Sequence, residues 1–110
     1  MSISQNVSDD GKNVKISIKG RFDFKLSKEF RDAYRHVPGR DGIAYYVDLR
    51  DVEYMDSSAL GMLLLLREHA KCRGGKVIIE HPDEPIDKIL KVANFEHLFT
   101  IDYSSHMYAG

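Results

Sequence analysis

A single cysteine, Cys72, stands in this 110-residue sequence, which excludes an intramolecular disulfide and fits a reducing compartment. Long blocks of one charge are also missing. The 16 basic and 17 acidic residues leave a formal net charge of -1. That balance gives no electrostatic reason to expect nucleic acid or an anionic membrane as a partner. The opening Met1-Ser2-Ile3-Ser4-Gln5-Asn6 lacks a basic region followed by an apolar one, so no signal peptide is expected. The apolar run Leu60 to Leu66, broken by Gly61, is far too short to span a bilayer. A cytoplasmic location without direct membrane insertion is expected.

Several chemistries are missing as well. Gly20, Gly39, Gly42, Gly61 and Gly74-Gly75 fit neither a dinucleotide loop nor a P-loop. No Gly-x-Ser-x-Gly elbow surrounds Ser57 or Ser58, which argues against a serine hydrolase. His36, His69, His81, His97 and His106 have neither a local catalytic spacing nor a close ligand spacing. The expectation is no enzyme, no cofactor and no metal. His69 reads as a solvated helix residue and Cys72 as a buried or half-buried small apolar residue. Tyr45, Tyr46 and Tyr54 read as packing residues. No internal repeat or low-complexity segment is present.

What remains is enough for one ordinary domain, 1–110, since 43% of the residues are apolar. Ile3 to Val7 is a strand candidate, and Asp9-Asp10-Gly11-Lys12-Asn13 a turn. Val14, Ile16 and Ile18 alternate with Lys15, Ser17 and Lys19, the pattern of a strand with one buried face. The two segments predict a hairpin at or near a sheet edge. Gly20-Arg21-Phe22-Asp23 ends the second strand. A helix is predicted from Ser27, with Leu26, Phe30, Ala33 or Tyr34, and Val37 near one face. Pro38-Gly39 stops it.

Ile43 to Leu49 reads as an inner strand covered on both faces, and Arg50 to Tyr54 as a short connection. Ser57 to Cys72 is the central helix. Its Ala59, Met62, Leu63, Leu66 and Ala70 fall within roughly 100° of one another and form a core stripe. Leu60, Leu64 and Leu65 lie outside it. The helix is either deeply embedded or exposes an apolar patch beside Ser58. Arg73-Gly74-Gly75 closes it.

Lys76 to Glu80 is a short strand. Pro82-Asp83-Glu84-Pro85 starts a third helix, with Pro85 acceptable at its first position and an acid before it as cap, and Ile86, Ile89, Leu90 and Ala93 form its apolar face. Asn94 ends it in a left-handed conformation. Phe95, Leu98, Phe99 and Ile101 return the chain to the core through a last strand. The order is β-β-α-β-α-β-α-β, an α/β fold whose long crossovers imply parallel neighbours and whose hairpin makes the sheet mixed.

Asp56-Ser57-Ser58 stands where the central helix begins. A short polar side chain there caps free amides. A first-turn serine is also suited to phosphorylation, because the free amides and the positive helix end receive the new charge.

In order along the chain, Ile18-Lys19-Gly20-Arg21-Phe22-Asp23, Val47-Asp48-Leu49, Met55-Asp56-Ser57-Ser58-Ala59-Leu60-Gly61, Arg73-Gly74-Gly75-Lys76-Val77, Ile89-Leu90-Lys91-Val92-Ala93 and Leu98-Phe99 resemble a STAS domain of the bacterial anti-sigma-factor-antagonist family. The likeness runs from about Val14 to Tyr103. It implies that Ser58 is phosphorylated by a serine kinase that doubles as an anti-sigma factor, and dephosphorylated by a PP2C-type phosphatase. Asp23 and Asp56 match acids bordering that site. Ala59 replaces the commoner glycine after the serine pair. The partner-binding surface expected is Asp23, Asp56, Ser57 and Ser58, which the resemblance implies, with the outward side of the helix around Met62 and Leu65, taken from the wheel, and the rim near Gly20 to Phe24; ATP and Mg2+ are supplied by the kinase. The downstream output stays open among sigma-factor, motility, biofilm and stress circuits. Two other readings are a non-catalytic STAS subunit of a membrane transport assembly and a carrier protein with a serine-linked arm. The intact serine pair argues against the first, and the strand-rich, charge-balanced chain against the second.

Overall fold

The alternation of Val14, Ile16 and Ile18 with polar residues builds the strand that anchors the sheet. In the computed structural model, which describes residues 2–35, 37 and 41–103, this strand is β2 (Asn13–Phe22). It pairs antiparallel with β1 (Ser2–Val7). A 3-10 turn, Phe24–Leu26, leads into α1 (Ser27–Arg35). Then follow β3 (Ala44–Met55), α2 (Ser57–Cys72), β4 (Lys76–Glu80), α3 (Glu84–Val92), a 3-10 turn at Phe95–His97 and β5 (Thr100–Asp102). The order is the one the sequence predicts. Pro38-Gly39, the predicted helix stop, lies outside the described residues, as do His36 and His106.

The strands lie side by side in chain order, and β2 to β5 run parallel. Right-handed crossovers that always step the same way put every helix on the same face. One apolar core results. It joins Val14, Ile16, Tyr45, Val47 and Ile79 of the sheet to Phe30, Leu63, Leu66, Ile86 and Leu90 of the helices. Phe22 packs on Phe30 with ring centroids 5.3 Å apart. Each such fully buried side chain contributes about 1.5–3 kcal/mol of transfer free energy.

This corrects the expectation that β3 is covered on both faces. Its Asp48 points to the helix-free side, where Lys15 Nζ lies 3.7 Å from both Asp48 and Glu80. Glu80 is Asp48's register partner on β4.

β3 is also longer than its sequence pattern. Arg50 to Tyr54 is strand, not connection, because β2 continues past Gly20 and offers a partner: Gly20 pairs with Val52, Arg21 with Tyr54 and Phe22 with Met55. Register shifts fall between Ser17 and Lys19 and between Gly20 and Arg21, and Gly20 takes φ +86. The irregularity turns Arg50 and Asp51, then Glu53 and Tyr54, all outward, leaving Val52 and Met55 as the buried residues. A three-residue spacing hides a strand from any search for period two.

Other local readings hold or fail for equally local reasons. Asn94 is left-handed at φ +61 after α3, as predicted. Leu98 is exposed, and Phe95 and Phe99 return the chain to the core instead. His69 is half-buried rather than fully solvated: its ring lies 4.9 Å from that of Tyr34 and 5.9 Å from that of Tyr45. Its burial, with the charges of Arg73 and Arg35, lowers its pKa. Cys72 is exposed, on the side of α2 away from the sheet.

Candidate functional site

β2 and β3 leave the sheet together. Phe22 and Met55 are register partners, so the next residues, Asp23 and Asp56, stand on the same rim at the C-terminal ends of parallel strands. Both acids cap the turn that follows. Asp23 Oδ1 accepts the Lys25 amide at 3.1 Å, and Asp56 Oδ1 accepts the Ala59 amide at 3.1 Å.

Their surroundings differ. Asp23 is only 5% exposed, and its Oδ2 lies 3.4 Å from Arg21 Nε. The Arg21 guanidinium sits 4.1 Å above the ring of Tyr54, its register partner. Tyr54, expected to be a packing residue, is therefore an exposed platform for an arginine. Asp56 is half-buried and opens onto Ser57, which is exposed, and Ser58, which is half-buried.

Asp56, and not Ser57, caps α2. Its Oδ1 is shared: the Ser58 hydroxyl donates to the same oxygen at 2.5 Å. That hydrogen bond is the main reason the Asp56 carboxyl sits below its ordinary value of 3.8. Partial burial opposes the shift, and backbone amides of Ala59 and Ser58 reinforce it.

A test of this pair follows. Because the folded pKa is depressed, the pair stabilises the fold above the unfolded pKa and loses that contribution as pH falls through the folded value. Ser58→Ala removes the largest cause, so the Asp56 midpoint should rise toward 3.8. A carboxyl-detected NMR titration checks this. An unmoved midpoint would mean that the hydroxyl does not hold the carboxylate.

α2 resolves the question of its surplus leucines. Ala59, Met62, Leu63, Leu66 and Ala70 are buried, the stripe the wheel predicts. The helix is not embedded beyond that. Leu65 is 61% exposed and Leu64 38%, while Leu60 is half-buried. Leu65 lies one heptad from Ser58 and so on its side of the helix.

Met62 is a correction. It was expected on the partner-binding surface, but at 7% exposure it belongs to the core stripe. Phe24, directly after Asp23 and 64% exposed, is an apolar rim residue that sequence reading grouped with its neighbours without singling it out. The available signal was an aromatic beside a strand-end acid, outside any helical or strand period.

The arrangement presents two serine hydroxyls at a helix start, that of Ser57 exposed and that of Ser58 held by the Asp56 carboxylate, with the exposed Leu65 on the Ser58 side of the helix. Among the described residues no group of three or more His, Cys, Asp or Glu could hold a metal ion. No helix among them is long and apolar enough to cross a membrane.

Comparison with known proteins agrees with this picture. The family model described as "Mlab, STAS domain" matches residues 6–101. A STAS-domain containing protein of Pseudomonas aeruginosa is 47% identical over 104 residues, covering 92% of this chain and 99% of that protein. The anti-sigma-B factor antagonist of Bacillus subtilis is 24% identical over 106 residues, covering 96% and 95%. Among solved structures, an anti-sigma-factor antagonist (STAS) domain protein of Planctomyces limnophilus superposes with a TM-score of 0.79 at 16% identity, covering 96% and 93% of the two chains. The Bacillus cell fate determinant SpoIIAA in its phosphorylated form superposes with a TM-score of 0.67 at 14% identity, covering 98% and 96%. The chain belongs to the STAS domain family of non-catalytic regulatory modules and has the fold of the anti-sigma factor antagonists.

Proposed function

We propose that this protein is a phosphorylation-regulated anti-sigma factor antagonist acting by partner switching. With Ser58 unmodified, the rim binds a serine kinase that is also an anti-sigma factor, and that partner releases what it held. The kinase then phosphorylates Ser58, and a PP2C-type phosphatase restores the binding form. Ser57, Ser58 and Leu65 form the contact surface, with Asp56 and Asp23 shaping it.

The observation that carries this reading is the Ser58 hydroxyl hydrogen-bonded to Asp56 at the start of α2. A phosphoryl group on that oxygen removes the hydrogen-bond donor and sets nearly two negative charges beside a carboxylate already held ionised. The free amides of the first turn and the positive helix end accept that charge, so the fold persists while the surface changes sign. A named relative that is an anti-sigma factor antagonist, and a structural neighbour known in a phosphorylated form, support the same reading.

Affinity capture from the native cell, followed by mass spectrometry, tests it. The expected result is a single phosphate on the peptide holding Ser57 and Ser58, localised to Ser58, with a serine kinase among the captured proteins. A phosphate found only on Ser57, or on neither serine in any growth state, would refute it.

A further inference from the structure

The leucines of α2 that do not accompany Ser58 occupy another side of the helix. Leu60, Leu64, Arg67 and Lys71 form a stripe roughly 140° around the helix from the Ser58–Leu65 line. Two cavities open along it. At its first half, Leu60 borders a cavity of about 320 Å³ that is otherwise lined by Lys88, Ile89, Val92 and Ala93 of α3 and its end. Val92 is 86% exposed at its edge, and Leu64 follows Leu60 on the same stripe. Leu64 and Val92 leave aliphatic surface open to solvent at this end.

At the second half lies a cavity of about 420 Å³ whose lining includes Arg67, Lys71, Lys76, His97 and Leu98. No Asp or Glu lines either cavity. Arg67 is fixed in place, its Nε donating to the Leu98 carbonyl at 2.9 Å and its Nη1 3.9 Å from Glu68 Oε2. No carboxylate among the described residues pairs with Lys71 or Lys76. The face is therefore apolar at one end and cationic at the other. From Leu60 to Lys71 it runs about 16 Å, three helical turns.

We propose that this face docks a helical segment of a partner protein, acidic in its N-terminal half and apolar in its C-terminal half, lying antiparallel to α2. Charge complementarity places acids against Arg67, Lys71 and Lys76 and apolar side chains against Leu60, Leu64 and Val92, and the preference for acids in a helix's first turns then sets the direction. This site goes beyond the Ser58 switch. It lies on a different side of α2, so its occupancy does not depend on the state of Ser58, and one helix serves two partners.

The probe is a helix-stapled peptide of about 12 residues, Glu-rich in its first half with Leu at helical spacing in its second. A control peptide has the halves exchanged. Titrated into the 15N-labelled protein, the probe should shift the amides of Leu60, Leu64, Ile89, Val92, Arg67 and Lys71. Val92→Glu and the double variant Lys71→Glu/Lys76→Glu should each weaken binding at least tenfold. A peptide with Lys in place of Glu should regain affinity for the double variant, which a mere loss of folding would not permit. Ser58→Asp should bind the probe as the parent does, which separates this site from the switch. Equal binding of the exchanged peptide, shifts confined to the Ser58–Leu65 side, or no shifts at millimolar peptide would overturn the proposal. A dimer of the parent in sedimentation that Val92→Glu dissolves would also overturn it, assigning the face to a second copy of this chain.

Discussion

Ser58→Asp is expected to weaken binding to the cognate serine kinase by about two orders of magnitude, whereas Ser58→Ala should bind within a few-fold of the parent. The difference follows from what each change does at Asp56. Alanine removes the 2.5 Å hydrogen bond but adds neither bulk nor charge, so the surface keeps its shape. Aspartate sets a second carboxylate against one that already accepts the Ala59 amide. Like charges in a desolvated contact cost several kcal/mol, and each 1.4 kcal/mol is a factor of ten. Both variants should stay folded, since an acid in the first turn of a helix is electrostatically favourable. Titration calorimetry with the kinase recovered by affinity capture checks the order. Equal affinities of parent, Ser58→Ala and Ser58→Asp would dismiss Ser58 as the switch.

The second large effect is on stability. Gly75→Ala should cost about 3 kcal/mol or more, because a Cβ at that position would fall well inside contact distance of the Ile43 carbonyl oxygen. That oxygen belongs to backbone and cannot swing aside. It accepts the Lys76 amide at 3.2 Å, where β4 begins beside the start of β3. Gly61→Ala is the contrasting case. Nothing lies near its added Cβ, and it sits in a regular helix, so the change should stabilise by about 0.5–1 kcal/mol. Urea unfolding of both variants at unchanged m-value gives the comparison. A Gly75→Ala protein as stable as Gly61→Ala would mean that β4 and the Ile43 backbone are not in close approach.

Gly75 also shows where sequence reading stops. Arg73-Gly74-Gly75 announces a helix end, and the end is there. Gly74 takes φ +68, its amide reaches the Lys71 carbonyl, and the Gly75 amide reaches the Ala70 carbonyl at 2.8 Å. That accounts for Gly74 alone. The need for glycine at position 75 comes from residue 43, more than thirty positions away, and no local pattern contains it.

The candidate site divides in the same way. Asp56 at the start of α2 is legible because capping is a matter of neighbours in sequence. That Ser58 spends its hydrogen on the capping oxygen, and that Asp23 stands beside Asp56, depends on two strands ending together. Met62 fell on the wrong side of the division. Its wheel position borders both the core stripe and the Ser58 side, and only the packing of α2 on β3 and β4 decides which face is covered.

The chain by itself determined the order of its elements, most of the core stripe of α2, its helix ends and the pattern that names its family. All of these rest on periods and end signals spanning a few residues. Tertiary structure alone decided the rest: the added length of β3, the single helical layer, the exposure of Leu64, Leu65 and Val92, and the close approach at Gly75. Each depends on which surface lies across from a residue. Pairing between distant strands and the face that a helix turns to the sheet set that surface, and a short window of sequence contains neither.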